Sequence, residues 1–200
     1  MKKMKTESCL HRIVVVLAAL AVALPMTSAV SAEEKEWKAM KREEKREQID
    51  ERAAENLAAL LEKSEQAREL YESAFGWAGF HNLKLAAGLT AGGGKGVAVN
   101  RVSGDRVYME VATVGVGVSL GGQKYDVIFL FETAKALESF VENGWEANAS
   151  ANAAAWKSGV NKATAFVNGL AIYQMTNGGL MVNADIAGTK YWKDGNLNNE

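Results

Sequence analysis

The glycine-rich segment from Gly92 to Gly96, which contains Lys95, looks at first like a phosphate-binding loop. A Walker loop needs Gly-Lys followed by Ser or Thr to hold magnesium, whereas Lys95 is followed by Gly96 and Val97. A dinucleotide-binding loop must end a strand and open a helix, which this segment does not do. The segment therefore predicts a tight turn between two glycine-bearing strands, and not a nucleotide site.

Titratable side chains form no specific catalytic pattern. Two carboxylate pairs, Asp105 with Glu110 and Asp126 with Glu132, are close in sequence, but charged residues near strand ends are usually solvated. Beyond residue 32 the sequence has one histidine, His81, and no cysteine. Zinc sites and His-dependent catalytic arrangements therefore lack their usual groups. We predict no catalytic residues, no metal site, no cofactor and no enzymatic activity.

Residues 1–32 have the pattern of a secretory signal. The apolar run Ile13–Leu24, ended by Pro25, precedes the small residues Val30-Ser31-Ala32 and follows a basic start made of Lys2, Lys3, Lys5 and Arg12. The run is short for a transmembrane helix, although an uncleaved membrane anchor is the alternative. We expect cleavage near Ala32–Glu33 and a periplasmic or secreted protein.

Removal of this signal changes the charge. Residues 1–32 hold four of the 23 Lys and Arg and one of the 24 Asp and Glu, which leaves 19 and 23, a net charge of −4. A mildly acidic protein of this kind is not expected to bind nucleic acid. What remains is about the length of one ordinary domain, long enough to bury a core.

The next segment, residues 33–63, is a charged helical leader. From Glu33 to Gln48 nearly every residue is charged, which is typical of either a solvated helical extension or a disordered leader. Apolar residues at three- and four-residue spacing predict three helices, near 48–62, 64–75 and 133–143. Ser64 and Thr133 are the expected N-caps of the second and third.

Period-two alternation predicts strands near 83–91, 95–102, 105–113, 114–121, 125–132, 165–176 and 179–187. Turns are expected at Ser103–Asp105, Gly121–Lys124 and Thr176–Gly179. From Val114 to Gly122 apolar residues alternate with glycine or serine, so one strand face is nearly bare. Such a face predicts the close approach of another backbone, a helix or a ligand. The fold class is α+β, with an antiparallel Gly-rich sheet, sandwich- or barrel-like, packed by N-terminal helices and one helix near 133–143. A polar tail, residues 193–200, is expected to fray.

Short motifs occur in a fixed order along this part of the chain: Gly79-Phe80, Gly92–Gly96 followed by Val97-Ala98-Val99, Gly115-Val-Gly117, Gly121–Phe129, Ala136-Leu137, Phe140, Gly144-Trp145, Gly179-Leu180 and Gly188-Thr-Lys190. The ordered set resembles the SYLF lipid-binding domain family, which is YSC84-related, and covers roughly Ser64 to Tyr191. The resemblance implies a SYLF-like domain at 64–192. It also implies phospholipid binding without enzymatic activity and, for bacterial members, an exported single-domain protein.

Two functions are therefore expected. In the first, a monomeric domain binds anionic phospholipid or a membrane surface in the periplasm. Basic side chains at strand ends attract headgroups and apolar loop residues dip into the bilayer; these are Lys84, Lys95, Arg101 and Lys124, with Phe75, Trp77 and Phe80. In the second, the protein is a structural or protein-interaction module of the cell envelope that docks a partner through residues 33–48.

Overall fold

The computed structural model describes residues 7–146, 165–176, 179–181 and 188–199. The chain forms two compact units, residues 1–44 and residues 45–200. Helix α1, Glu7–Lys63, supplies the described part of the first unit and the beginning of the second. Residues 33–63 are therefore helical and not disordered. No helix within the described ranges has an apolar stretch long enough to cross a membrane.

The two shorter helices begin at the predicted caps. Helix α2, Glu65–Ser73, is preceded by Ser64, whose side-chain oxygen accepts a hydrogen bond from the Ala67 amide at 3.1 Å. Helix α3, Ala134–Asn143, is preceded by Thr133, whose hydroxyl oxygen accepts from the Ala136 amide at 3.2 Å. Each cap satisfies an amide that has no partner within its own helix, which fixes where the helix starts.

The described strands form one antiparallel sheet, as predicted. Their bounds are β1 Gly76–Asn100, β2 Arg106–Phe131, β3 Trp145–Glu146, β4 Leu170–Thr176, β5 Gly179–Met181 and β6 Thr189–Lys193. β1 pairs with β2 along nearly its whole length. The other edge of β2 pairs with β6 at one end and with β4 at the other.

The long hairpin β1–β2 is bent double. A side chain at Gly76 would lie 2.7 Å from the carbonyl oxygen of Val99, and one at Gly92 would lie 2.8 Å from the carbonyl oxygen of Leu83. These contacts step in opposite directions along β1, so the two halves of the strand run antiparallel and lie in contact. The bend lies between them at Ala87–Leu89, where the β1–β2 register also shifts.

This geometry corrects the strand assignments. The five strands predicted between residues 83 and 132 are two long ones, and the turns predicted at Gly92–Gly96 and Gly121–Lys124 are wrong because both segments lie inside strands. The turn at Ser103–Asp105 is confirmed, with Gly104 at a φ of 81°. β4 and β5 lie within the two strands predicted last. The centre of the turn between them, residues 177–178, lies outside the described residues.

Alternation along the strands separates two cores. One, the aromatic core, lies between the bent halves and α3 and includes Phe80, Phe129, Phe131, Phe140 and Tyr191. The other, the helix-side core, contains residues of α1 and the opposite strand faces, including Leu57, Leu60, Trp77, Ile128 and Leu130. The apolar segment Tyr125–Phe131 is thus buried on both faces, as predicted.

The residues after β6 are held in place. Asp194 accepts hydrogen bonds from the amides of Asn196 and Leu197 at 2.8 and 3.0 Å. Asn198 exchanges two hydrogen bonds with the backbone of Tyr108, and Arg46 of α1 donates to the Leu197 carbonyl at 2.8 Å. The prediction that this segment frays is therefore wrong.

Candidate functional site

Two of the three apolar residues predicted to enter a membrane lie in a strand. Trp77 and Phe80 are in β1, and both side chains are buried, one in each core. Phe75 comes just before β1 and packs against the aromatic core. Trp77 and Phe80 are therefore strand residues, whereas Phe75 lies in the short connection between α2 and β1 and is partly buried.

Lys95 is engaged by two carboxylates. Its ammonium lies 2.7 Å from Glu110 Oε1 and 2.5 Å from Oδ2 of Asp194, whose side chain is 1% exposed. Burial pulls the pKa of Lys95 down, but the hydrogen bonds to Asp194 and Glu110 outweigh it and raise the pKa. Burial likewise raises the pKa of Asp194, and its bonds to Lys95 and to two backbone amides more than offset that effect and lower it. The charge of Lys95 is therefore neutralised within the fold.

Arg101 supports α2. Its Nη1 donates to the carbonyl oxygens of Tyr71 and Ala74, each at 2.6 Å, and its guanidinium lies 4.2 Å from the centre of the Tyr71 ring. The Tyr71 carbonyl also accepts from the Ala74 amide at 3.2 Å, so Arg101 is a second donor at the C-terminal end of α2.

Lys84 and Lys124 are the two remaining predicted cations. Lys84 is half-buried opposite Gln123, while Lys124 is exposed opposite Leu83. Because directly paired residues share a face, the two lysines lie on opposite faces of the hairpin. The structure does not bring the four predicted basic residues together.

The bend carries an apolar surface that the sequence analysis did not identify. Leu83, Leu85 and Leu89 are 42, 57 and 71% exposed, and Val114 on the adjacent strand is 66% exposed. Alternation places these side chains on one face of the hairpin, which we name the apolar tip. Lys124 borders it opposite Leu83. The available signal was the odd-numbered alternation of Leu83, Leu85 and Leu89.

A cleft of about 480 Å³ adjoins the apolar tip. It lies between α1 and β1, on the strand face that also carries Leu83. From β1 it is lined by Gly79, His81 and Lys95, and from α1 by Lys45, Gln48, Ile49, Glu51, Arg52, Ala53 and Glu55. His81 Nδ1 is 2.7 Å from Asp126 Oδ1. Within the described part of the chain, no three His, Cys, Asp or Glu side chains group in a way that would hold a metal ion.

Comparisons with known proteins found similar sequences. Residues 112–200 match the Ysc84 family, described as "Las17-binding protein actin regulator". The chain is also 36% identical over 141 residues to "Beta cell expansion factor A" of Aeromonas veronii; the aligned part is 70% of this chain and 54% of that protein. The chain thus spans about half the length of this curated relative. The predicted resemblance to the SYLF family is confirmed over residues 112–200, which match its Ysc84 domain.

Proposed function

We propose that this protein binds phospholipid membranes peripherally and without catalysis, through the apolar tip. The observation that carries the proposal is the exposure of Leu83, Leu85, Leu89 and Val114 on one face of the bent hairpin. Several exposed large apolar side chains on one strand face favour a membrane or protein interaction site. Burying an exposed leucine in an apolar environment contributes about 1.5–3 kcal/mol at most, so the three half-exposed leucines together contribute several kcal/mol.

In this proposal membrane binding is driven mainly by apolar contact and less by charge. Lys95 is neutralised by Glu110 and Asp194, and Arg101 holds the end of α2. Lys124 is the predicted cation that borders the tip on its exposed face. Attraction between separated surface charges is screened by salt, whereas burial of apolar surface is not weakened in this way. Membrane binding should therefore depend only weakly on ionic strength.

Sedimentation with phospholipid vesicles at low and high salt tests the proposal. The wild type should co-sediment at both, and the double variant Leu85→Ser/Leu89→Ser should remain in the supernatant. Val102→Ser is the control, because Val102 is 77% exposed in the turn between β1 and β2, away from the tip. If the double variant still co-sediments like the wild type, the tip is not the membrane contact.

We further propose that binding takes place after export, with residues 1–32 acting as the signal. The support is the basic start, the short apolar run and the small residues before Glu33. Cell fractionation followed by N-terminal sequencing tests this: a periplasmic or secreted protein beginning at Glu33 is expected. A protein that retains residues 1–32 would overturn the cleavage and favour a membrane anchor.

A second candidate function is docking of a protein partner through residues 33–48. The supporting observation is that Trp37 and Met40, one helical turn apart on α1, are 56 and 54% exposed. The description of the Ysc84 family as Las17-binding also concerns protein interaction. Pull-downs with the protein and with a variant lacking residues 33–48 discriminate the two functions. Loss of partners with vesicle binding unchanged would favour docking, and unchanged partners would exclude it.

A further inference from the structure

The cleft beside the apolar tip has a defined order of charges. Ala53 of α1 packs on β1 so closely that a side chain at Gly79 would lie 3.0 Å from its Cβ. At 100° per residue, Lys45 and Arg52 lie on the helix face next to this packed strip. Glu51 and Glu55 lie further round, towards the outside. Lys45 and Arg52 therefore lie closer to the strand side of the cleft than Glu51 and Glu55, and all four side chains are exposed.

These four charges are unused by the fold. Among the described residues, the side chains of Lys45, Arg52, Glu51 and Glu55 make no hydrogen bond or ion pair. His81 contacts Asp126 through Nδ1, which leaves Nε2 for another group. Lys95, by contrast, is already paired with Glu110 and Asp194 and only lines the cleft. A ligand in the cleft thus meets unpaired positive charge next to the strand and unpaired negative charge further from it.

The position of the cleft relates it to a membrane. His81 in the cleft and Leu83 in the apolar tip share one face of β1 and are separated by a single residue. A lipid molecule beside the tip would therefore have its headgroup close to the cleft opening. The volume of about 480 Å³ lies within the ordinary range for small-molecule sites.

Resting on the proposed membrane function, we propose that the cleft binds a zwitterionic phospholipid headgroup of the phosphoethanolamine type. The phosphate lies against Lys45 and Arg52, and the ammonium lies against Glu51 and Glu55. A headgroup with only negative charge gains the same cations but is repelled by the two carboxylates. Inorganic phosphate lacks the ammonium and meets the same repulsion. The cleft therefore selects for both charges on one molecule.

Titration of the protein with soluble O-phosphoethanolamine, followed by calorimetry or NMR, tests the site without a membrane. We expect saturable binding that is stronger than binding of inorganic phosphate or of ethanolamine alone. Lys45→Gln/Arg52→Gln and Glu51→Gln/Glu55→Gln should each weaken it about tenfold or more, because each removes charge-assisted hydrogen bonds. Lys63→Gln/Lys135→Gln and Glu62→Gln/Glu69→Gln change the same charges on exposed surfaces outside the cleft and should have no effect.

Vesicles separate the possible sources of the phosphate and the two proposals. Wild type should favour phosphatidylcholine vesicles enriched in phosphatidylethanolamine over those enriched in phosphatidylglycerol, and Glu51→Gln/Glu55→Gln should abolish that preference. Equal binding of inorganic phosphate and O-phosphoethanolamine would make the cleft a simple anion site and overturn the inference. If the cleft variants bind vesicles and headgroup like the wild type while Leu85→Ser/Leu89→Ser does not bind vesicles, the cleft inference is overturned. The proposed membrane function would then stand. Tip variants that still bind vesicles would overturn the proposed function, and the soluble titration would then decide the cleft alone.

Discussion

Gly96 lies directly on the backbone carbonyl of Gly79, within the same strand. A side chain at Gly96 would collide with that oxygen and with the ring of Phe80, and one at Gly94 would collide with the carbonyl of His81. The glycines on this face of β1 therefore exist because the first half of the strand occupies the space. On β1, therefore, a backbone occupies the space beside the glycines. The face predicted from Val114 to Gly122 lies on β2, and a side chain at Gly121 there would meet nothing within 4 Å.

We expect Gly96→Ala to lower the free energy of unfolding by about 2 kcal/mol or more, because overpacking against a backbone carbonyl forces the halves apart. Gly195→Ala is the control, since a side chain there would meet nothing within 4 Å. Urea unfolding followed by circular dichroism measures both. A Gly96→Ala protein as stable as the Gly195→Ala protein would contradict the close packing of the two halves.

Phe80→Ala should destabilise the protein by about 3–5 kcal/mol, the usual cost of removing a buried phenyl ring. Phe80 is fully buried and lies edge-on to Phe129 and Tyr191 at 5.8 and 4.7 Å between ring centres. Leu89→Ala, at the exposed tip, should leave the stability nearly unchanged. Leu89→Ala should weaken vesicle binding, whereas the folded fraction of Phe80→Ala should bind vesicles like the wild type. Reduced vesicle binding by folded Phe80→Ala protein would restore the original assignment of Phe80 to a lipid site.

Asp194 makes the stability of the fold depend on pH. Its pKa in the folded protein is lowered from 3.8, so the stability that it contributes is complete above that value and is lost as the pH falls through the folded value. Lys95 has a raised pKa, so its contribution is present below 10.5 and is lost only as the pH rises through the higher folded value.

Asp194→Asn should therefore lower the free energy of unfolding by about 1 kcal/mol at neutral pH, because solvent partly screens the interaction with Lys95. The difference from wild type should vanish in strong acid. Unfolding curves recorded from pH 7 down to pH 2 measure the difference. Glu142→Gln, an exposed change on α3, is the control. Parallel curves for wild type and Asp194→Asn across this range would show that the Lys95–Asp194 pair is not responsible.

Arg101→Lys should destabilise the protein by about 1 kcal/mol, because a lysine ammonium does not reproduce the two carbonyl contacts together with the stacking on Tyr71. Vesicle binding should not change. Lys124→Ala is the complementary variant and should leave stability within about 0.5 kcal/mol of the wild type, since the side chain is exposed. Weaker vesicle binding by Arg101→Lys would return Arg101 to the lipid contact.

Helix starts were predictable because their signals are local. Ser64 and Thr133 each precede an apolar stripe of helical period, and their side chains cap the amides expected of them. The turn around Gly104 was predictable for the same reason, because glycine is the residue that a turn position with positive φ favours.

The bend was not predictable in this way. Glycine at Gly92–Gly96 indicates a turn when only neighbouring residues are considered, yet the reason for glycine lies at Gly79 and His81, in another part of the strand. Whether a glycine turns the chain or admits another backbone depends on tertiary packing.

The candidate surface was missed because the face that is covered changes along β1. Trp77 and Leu83 point to the same side by alternation, yet Trp77 is covered by the helix-side core and Leu83 is exposed. An apolar residue on a strand is expected to point inward, so the exposed leucines were not considered. Conversely, Lys95 and Arg101 were expected to be available, and only their distant partners Asp194 and Tyr71 show that they are engaged.

The bend at Ala87–Leu89 also has a consequence for self-association. If two copies straightened there, the first half of β1 in each could pack on the glycines of the other, and the same contacts would join them as an exchanged dimer. Because both forms use the same glycine contacts, Gly96→Ala weakens both alike, and the balance between them depends on protein concentration. Exchanged dimers of the wild type should therefore accumulate when it is refolded at high protein concentration.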